Sequence, residues 1–185
     1  MLLLPMDAGK RVLLEKEEVG RTISRMAHEI VERSGAAAGI ALIGIRSRGA
    51  HLAKRLGRKI EALTGSAPAA GAMDITPYRD DVERRDDHAP RLDVPVAVDD
   101  RTVVLVDDVI NTGRTIRAAL EMLGRLGQPK KILVATLVDR GDRELPIRAD
   151  IVGKNVQVGE SERVNVLLEE SDGADLVIVT QAQKR

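Results

Sequence analysis

The residues Val103-Val104-Leu105-Val106-Asp107-Asp108-Val109-Ile110-Asn111-Thr112-Gly113-Arg114-Thr115 could together do chemistry. Four apolar residues predict a buried strand, and two adjacent carboxylates stand where it ends. In open α/β sheets, ligands bind at that end of the strands. The next residues offer backbone N–H groups, two threonine hydroxyls and a glycine that lets a ligand approach closely. A helix is expected from Thr115, so its positive end faces the same place. An anion there gains about 0.3–2 kcal/mol from the helix dipole. Acids beside an anion cradle suit a sugar phosphate, whose hydroxyls donate to carboxylates while its phosphate takes the amides. Taken singly, Thr112 or Thr115 could cap a helix and the aspartates could be a solvated strand end. Four apolar residues, two acids and TGRT in one run favour the ligand site.

The elements around this run alternate. Glu17 to Arg33 reads as an amphipathic helix, with Val19, Ile23, Met26 and Ile30 on one stripe. Gly39 to Ile45 reads as a buried strand, and Ala50 to Leu63 as a second helix stopped by Gly65. Met73 to Thr76 and Val94 to Val98 are weaker strand candidates. Between them, residues of about 74–90 are dense in charge and without apolar period, which predicts an exposed lid. Thr102 to Val106 is the clearest strand and Thr115 to Leu126 the third helix. Further strands are expected at Lys131 to Val138, Ala149 to Val152, Val164 to Leu168 and Leu176 to Val179. Strands alternating with helices imply an α/β fold, a mainly parallel sheet flanked by helices. The 185 residues fit a single domain, 1–185.

Composition excludes several function classes. Lys+Arg and Asp+Glu are both 29, so no global basic coat for nucleic acid exists, although a local basic face can. Without cysteine there is no disulfide scaffold, thiolate zinc site or cysteine nucleophile. Tyr78 is the one aromatic residue, which argues against recognition of bases by aromatic stacking. Met1 to Pro5 is too short for a signal segment and no apolar run could span a membrane, so a cytoplasmic protein is expected. The three histidines, His28, His51 and His88, are scattered without metal spacing, and no GxGxxG, P-loop or GxSxG motif is present. On the first helix Arg21, Ser24, Arg25 and His28 form one polar face, about 140–240° around from the apolar stripe.

The segment Val103 to Thr115 resembles the 5-phosphoribosyl-1-pyrophosphate (PRPP) signature of the type I phosphoribosyltransferases. Gly44-Ile45-Arg46-Ser47-Arg48-Gly49 is similar to that family's pyrophosphate loop. Asp74 to Asp81, Val138 to Asp150, Gly153-Lys154-Asn155 and Arg25-Met26-Ala27-His28-Glu29 resemble one branch, the PyrR family. The resemblance implies the type I phosphoribosyltransferase fold and the reaction of uracil with PRPP to give UMP and pyrophosphate. Asp107 and Asp108 would hold the ribose hydroxyls, and Asn111, Thr112, Gly113, Arg114 and Thr115 would wrap the 5-phosphate. Ser47 and Arg48 would meet pyrophosphate together with Mg²⁺ brought by PRPP rather than by a protein metal site. Asp139 and Arg140 would lie near the base, whose edge backbone groups around Ile151 and Val152 would read. Tyr78 and Arg79 would act in the lid. The resemblance also implies binding of the pyrimidine (pyr) mRNA leader, controlled by UMP or UTP, through Ser24, Arg25, His28, Arg148 and Lys154. A homo-oligomer is expected by the same analogy. Two alternatives remain open: an RNA-binding nucleotide sensor with negligible catalysis, and a purine salvage phosphoribosyltransferase. The sequence departs from the family's pattern at Asn111, where an aromatic is frequent, at Asp142, where histidine is usual, and at the less basic Gln157 to Ser161.

Overall fold

A computed structural model describes residues 10–76, 92–93 and 96–182. Six strands form the main sheet: β2 (Ile40–Ile45), β3 (Ala69–Met73), β4 (Leu92–Asp93), β5 (Thr102–Ile110), β6 (Lys131–Asp139) and β7 (Ile151–Asn155). Their order is β4-β3-β2-β5-β6-β7, and all pairs are parallel except β3 with the edge strand β4. A second, antiparallel sheet joins β1 (Arg11–Leu14), β9 (Leu176–Gln181) and β8 (Glu162–Leu167) in the order β1-β9-β8. It stands as a hood beside the main sheet. The helices are α1 (Lys16–Ser34), α2 (Arg48–Thr64), α3 (Arg114–Leu123) and the single turn α4 (Glu169–Asp172).

The central strands are continuously apolar because both faces are covered. Side chains alternate across the sheet, so each strand feeds two cores. Leu42, Val104, Val106, Leu133, Ala135 and Leu137 point to the side packed by α1 and α2. Ala41, Ile43, Ile45, Val103 and Leu105 point to the side packed by α3. The α1 stripe Val19, Ile23, Met26 and Ile30 is buried as its spacing predicts. The start of α1 is fixed by the Glu15 N–H, which donates to Glu18 Oε2 at 2.9 Å.

Several boundaries differ from the sequence reading. β5 does not end before the acids. It runs through Asp107 and Asp108 to Ile110, because β6 continues to pair with it there, Val109 opposite Val138 and Ile110 opposite Asp139. The third strand is Ala69–Met73 rather than Met73 to Thr76. Ala69-Ala70-Gly71-Ala72 carries little apolar signal, yet its backbone pairs in register with Ala41 to Gly44. The expected Val94 to Val98 strand is replaced by a two-residue pairing at Leu92–Asp93; residues 94–95 lie outside the described ones, and 96–98 have no strand. α3 begins at Arg114 and stops at Leu123, short of Leu126. β7 is shifted toward Asn155, and β1 has too few residues to show a period. Tyr78, Arg79 and most of the expected lid lie outside the described residues.

Candidate nucleotide site

The site lies at the C-terminal ends of β2, β5 and β6. Register sets Asp107 opposite Thr136 on β6, with Asp107 only 5 % exposed. Asp107 Oδ1 accepts the Asp108 N–H at 3.0 Å. Burial pushes the Asp108 carboxyl above its ordinary value, opposed by its contact with Asp107 and by the nearby Arg48 charge. An acid held dry at a strand end is a strong acceptor for a hydroxyl.

Two glycines shape the backbone around the acids. Gly49 opens α2 just after the Arg46–Ser47 loop, and a Cβ there would overlap the Val106 carbonyl oxygen. Its absence lets the loop lie directly on β5, immediately before the acids. Gly113 has φ +93 at the start of α3, a conformation that L side chains rarely adopt. The turn it makes carries the chain from β5 directly into the first N–H groups of α3.

That turn is stitched to the segment after β6. Thr112 O accepts the N–H groups of Glu144 and Leu145, both at 3.1 Å. Arg114 Nε donates to Glu144 Oε2 at 2.8 Å. Arg143, which sequence reasoning did not single out, ties the region together. Its Nη1 donates to Asn111 O at 2.7 Å, its Nε to Ile147 O at 2.6 Å and its Nη2 to Asp139 Oδ2 at 2.6 Å. The available signal was the i,i+4 spacing of Asp139 and Arg143, which sequence reading assigns first to helices.

Some expected residues are already engaged. Asp139 accepts from both Gly141 N–H and Arg143, so its carboxylate acts as a clamp on the loop. Ile151 is fully buried in the core, and the Val152 carbonyl accepts from Arg25. Arg48 is bound to Asp172 on α4, with Nη2–Oδ1 at 2.9 Å and Nε–Oδ2 at 3.3 Å. Ser47 is exposed at the head of α2. By contrast, Asn111 Oδ1 and Arg140 Nε are buried without a hydrogen-bond partner. Unsatisfied buried polar atoms cost about 1–3 kcal/mol each, and a bound ligand is one way to satisfy them. Among the described residues, no three His, Asp or Glu side chains converge on a metal position.

The other expected residues lie on α1, on β7 and on the connection before β7. Ser24, Arg25 and His28 of α1 stand beside β7, which carries Lys154. Arg25 Nη2 donates to Val152 O at 2.9 Å and Gly153 O at 2.6 Å, and Nη1 lies 3.5 Å from Glu29. His28 Nδ1 donates to Ser24 O at 2.8 Å, which leaves Nε2 directed elsewhere. Arg148 is exposed on the connection leading into β7.

The comparisons agree with this geometry. The model of the phosphoribosyl transferase domain matches residues 11–170. A hypoxanthine phosphoribosyltransferase from Staphylococcus aureus superposes with TM-score 0.71, at 19% identity, over 99% of this chain and 98% of that one. A hypoxanthine phosphoribosyltransferase from Trypanosoma cruzi also gives TM-score 0.71, at 17% identity, over 94% of this chain and 97% of that one. These likenesses show the fold. The chain belongs to the phosphoribosyl transferase family.

Within that family it stands with the PyrR proteins. It is 50% identical over 174 residues to the bifunctional protein PyrR of Chloroflexus aurantiacus, covering 92% of this chain and 95% of that protein. It is 45% identical over 174 residues to the bifunctional protein PyrR of Bacillus subtilis, covering 92% of this chain and 96% of that protein.

Proposed function

We propose that this protein catalyses uracil + PRPP → UMP + pyrophosphate, and that it binds the pyr mRNA leader in response to uridine nucleotides to attenuate transcription. The observation that carries the enzymatic reading is the Asp107–Asp108 pair near the C-terminal end of β5, Asp107 buried and Asp108 partly so, shortly before the Asn111–Thr115 turn at the head of α3. Asp107 and Asp108 hold the ribose hydroxyls, and the amides from Asn111 to Thr115 hold the 5-phosphate. Arg140, with its unpartnered buried Nε, faces the nucleotide. Ser47 and Arg48 meet the pyrophosphate. PRPP would bring Mg²⁺, which would supply positive charge to the leaving group, and Ser47 and Arg48 would meet that magnesium-bearing pyrophosphate.

No protein nucleophile is needed. The bond from ribose C1 to pyrophosphate breaks, positive charge grows on the ring, and a uracil nitrogen forms the new bond to C1 as its proton leaves to solvent. The residues position the reactants and exclude water. The reading takes the chain as one domain, 1–185, with the charged 74–90 run, including Tyr78 and Arg79, as the lid of the site. The protein works in the cytoplasm as a homo-oligomer.

The RNA reading rests on Ser24, Arg25 and His28 of α1, Lys154 of β7 and the exposed Arg148 before β7. Arginine and lysine pair with phosphates, and such contacts make affinity fall steeply with salt. The test is UMP formation from uracil, hypoxanthine and guanine, run beside titration of leader RNA across a salt series with and without UMP. Preference for uracil and a steep salt slope support the proposal. Preference for a purine removes the pyrimidine assignment, and a flat salt slope removes the phosphate-contacting face.

A further inference from the structure

The Arg48 charge acts on two carboxylates. One is Asp108 at the site, whose ionisation the Arg48 charge favours. The other is Asp172, the last residue of α4 in the hood, which grips the guanidinium through both oxygens. Asp172 is itself fixed, because its Oδ2 accepts the Leu168 N–H at 2.9 Å. The two side chains are 33 % and 20 % exposed, so the pair is partly shielded from water. A cation within reach of two acids goes to the one that is better placed. A two-point guanidinium–carboxylate fork also fixes orientation, which a single contact cannot do.

We infer that Asp172 is a positioning residue for the pyrophosphate end of PRPP: its two-point grip holds the Arg48 guanidinium in one orientation at the head of α2. Without Asp172, the Arg48 guanidinium loses its fixed orientation and meets the leaving group less well. This rests on the reading of Ser47 and Arg48 as the pyrophosphate contact. It assigns to the hood, which lies far along the chain from the motif, a part in PRPP binding.

A neighbouring ion pair supplies the control. Arg55, also on α2, forks onto Glu170 and Asp175, with the Asp175 contacts at 2.7 Å. It anchors the same turn of the hood without touching Arg48. The experiment compares Asp172→Asn, Asp172→Glu and Asp175→Asn with the wild-type chain, measuring PRPP binding by calorimetry, KM for PRPP and for uracil, kcat, and thermal midpoint. Asp172→Asn is expected to raise Kd and KM for PRPP about tenfold or more, with KM for uracil little changed. Asp172→Glu is expected to restore part of that loss. Asp175→Asn is expected to lower the thermal midpoint while leaving KM for PRPP within twofold. An unchanged PRPP affinity in Asp172→Asn overturns the inference. So does an equal rise in Asp175→Asn, which would make the effect one of hood anchoring. If the wild-type chain itself binds no PRPP, the proposed function fails and this inference with it; wild-type binding with an unaffected Asp172→Asn removes this inference alone.

Discussion

Asp107 and Asp108 are neighbours on one strand, so their side chains leave the sheet in opposite directions. Asp107 is almost wholly buried and Asp108 partly, and the Asp107 carboxylate accepts the Asp108 N–H. Asp107→Asn and Asp108→Asn are each expected to cut UMP formation by at least about 10²-fold, the scale typical of losing one well-placed polar group. Near-normal rates would remove the ribose role. Asp108 carries a second, opposite consequence. Its carboxyl is raised in the folded state by burial, so the folded chain holds a proton that the unfolded chain releases as pH climbs above the ordinary carboxylate value. Stability from this group is full at low pH and is lost as pH rises through the folded value. At pH 7 the wild-type chain bears that cost and an amide does not. Calorimetry is therefore expected to give Asp108→Asn a thermal midpoint at pH 7 equal to or above the wild type, while its activity is gone. Arg25→Ala is expected to weaken leader RNA binding and spare UMP synthesis, as judged by filter binding beside the enzyme assay; equal loss of both would point to misfolding.

At the scale of elements, the hood shares the apolar core through Leu14, Val166 and Val177, and one turn ties it to α2 by charge. α4 meets α2 through Arg48–Asp172 and Arg55 with Glu170 and Asp175. The side chains of Arg55 and Asp175 are 16 % and 9 % exposed, so Arg55→Ala leaves poorly hydrated carboxylates behind and is expected to cost about 2–4 kcal/mol in urea unfolding. The Arg55 guanidinium holds Glu170 and Asp175 below the usual carboxylate range, and the Leu168 N–H with Arg48 does the same for Asp172. Groups depressed in this way stabilise above the ordinary carboxylate value and lose that contribution as pH falls through the folded one. A thermal midpoint that drops steeply below about pH 4, and drops less in Arg55→Ala, is the expected signature. Gly49→Ala would drive a methyl into the Val106 carbonyl, a backbone atom that cannot rotate aside, and is expected to reduce PRPP affinity more than Gly57→Ala, where the added carbon meets only ordinary contacts. The sequence made α1, α2, β2 and β6 legible because their apolar residues recur at helix or strand period. It hid β3, whose Ala-Ala-Gly-Ala face carries almost no hydrophobic signal and is specified by its partner β2. It also ended β5 too early, since charged residues mark a strand end only when no neighbour continues the ladder.

Across the whole molecule, two cores lie on opposite sides of one sheet, and both are built without a described aromatic side chain. Branched and linear aliphatics must fill them, so Leu105→Ala, at a fully buried position, is expected to cost about 2–5 kcal/mol, read from the shift of a denaturant midpoint. Motif residues near the acids could be found from sequence since they are contiguous. Arg143, Asp172 and the Arg25 bridge to β7 could not, because each acts on a segment brought near only by folding. Arg143 has a wider consequence. By grasping Asn111, Ile147 and Asp139 at once, it settles the shape of the phosphate cradle before any guest arrives. The entropy of organising that loop is then spent when the chain folds, not at each encounter, and the arriving ligand keeps the full yield of its contacts.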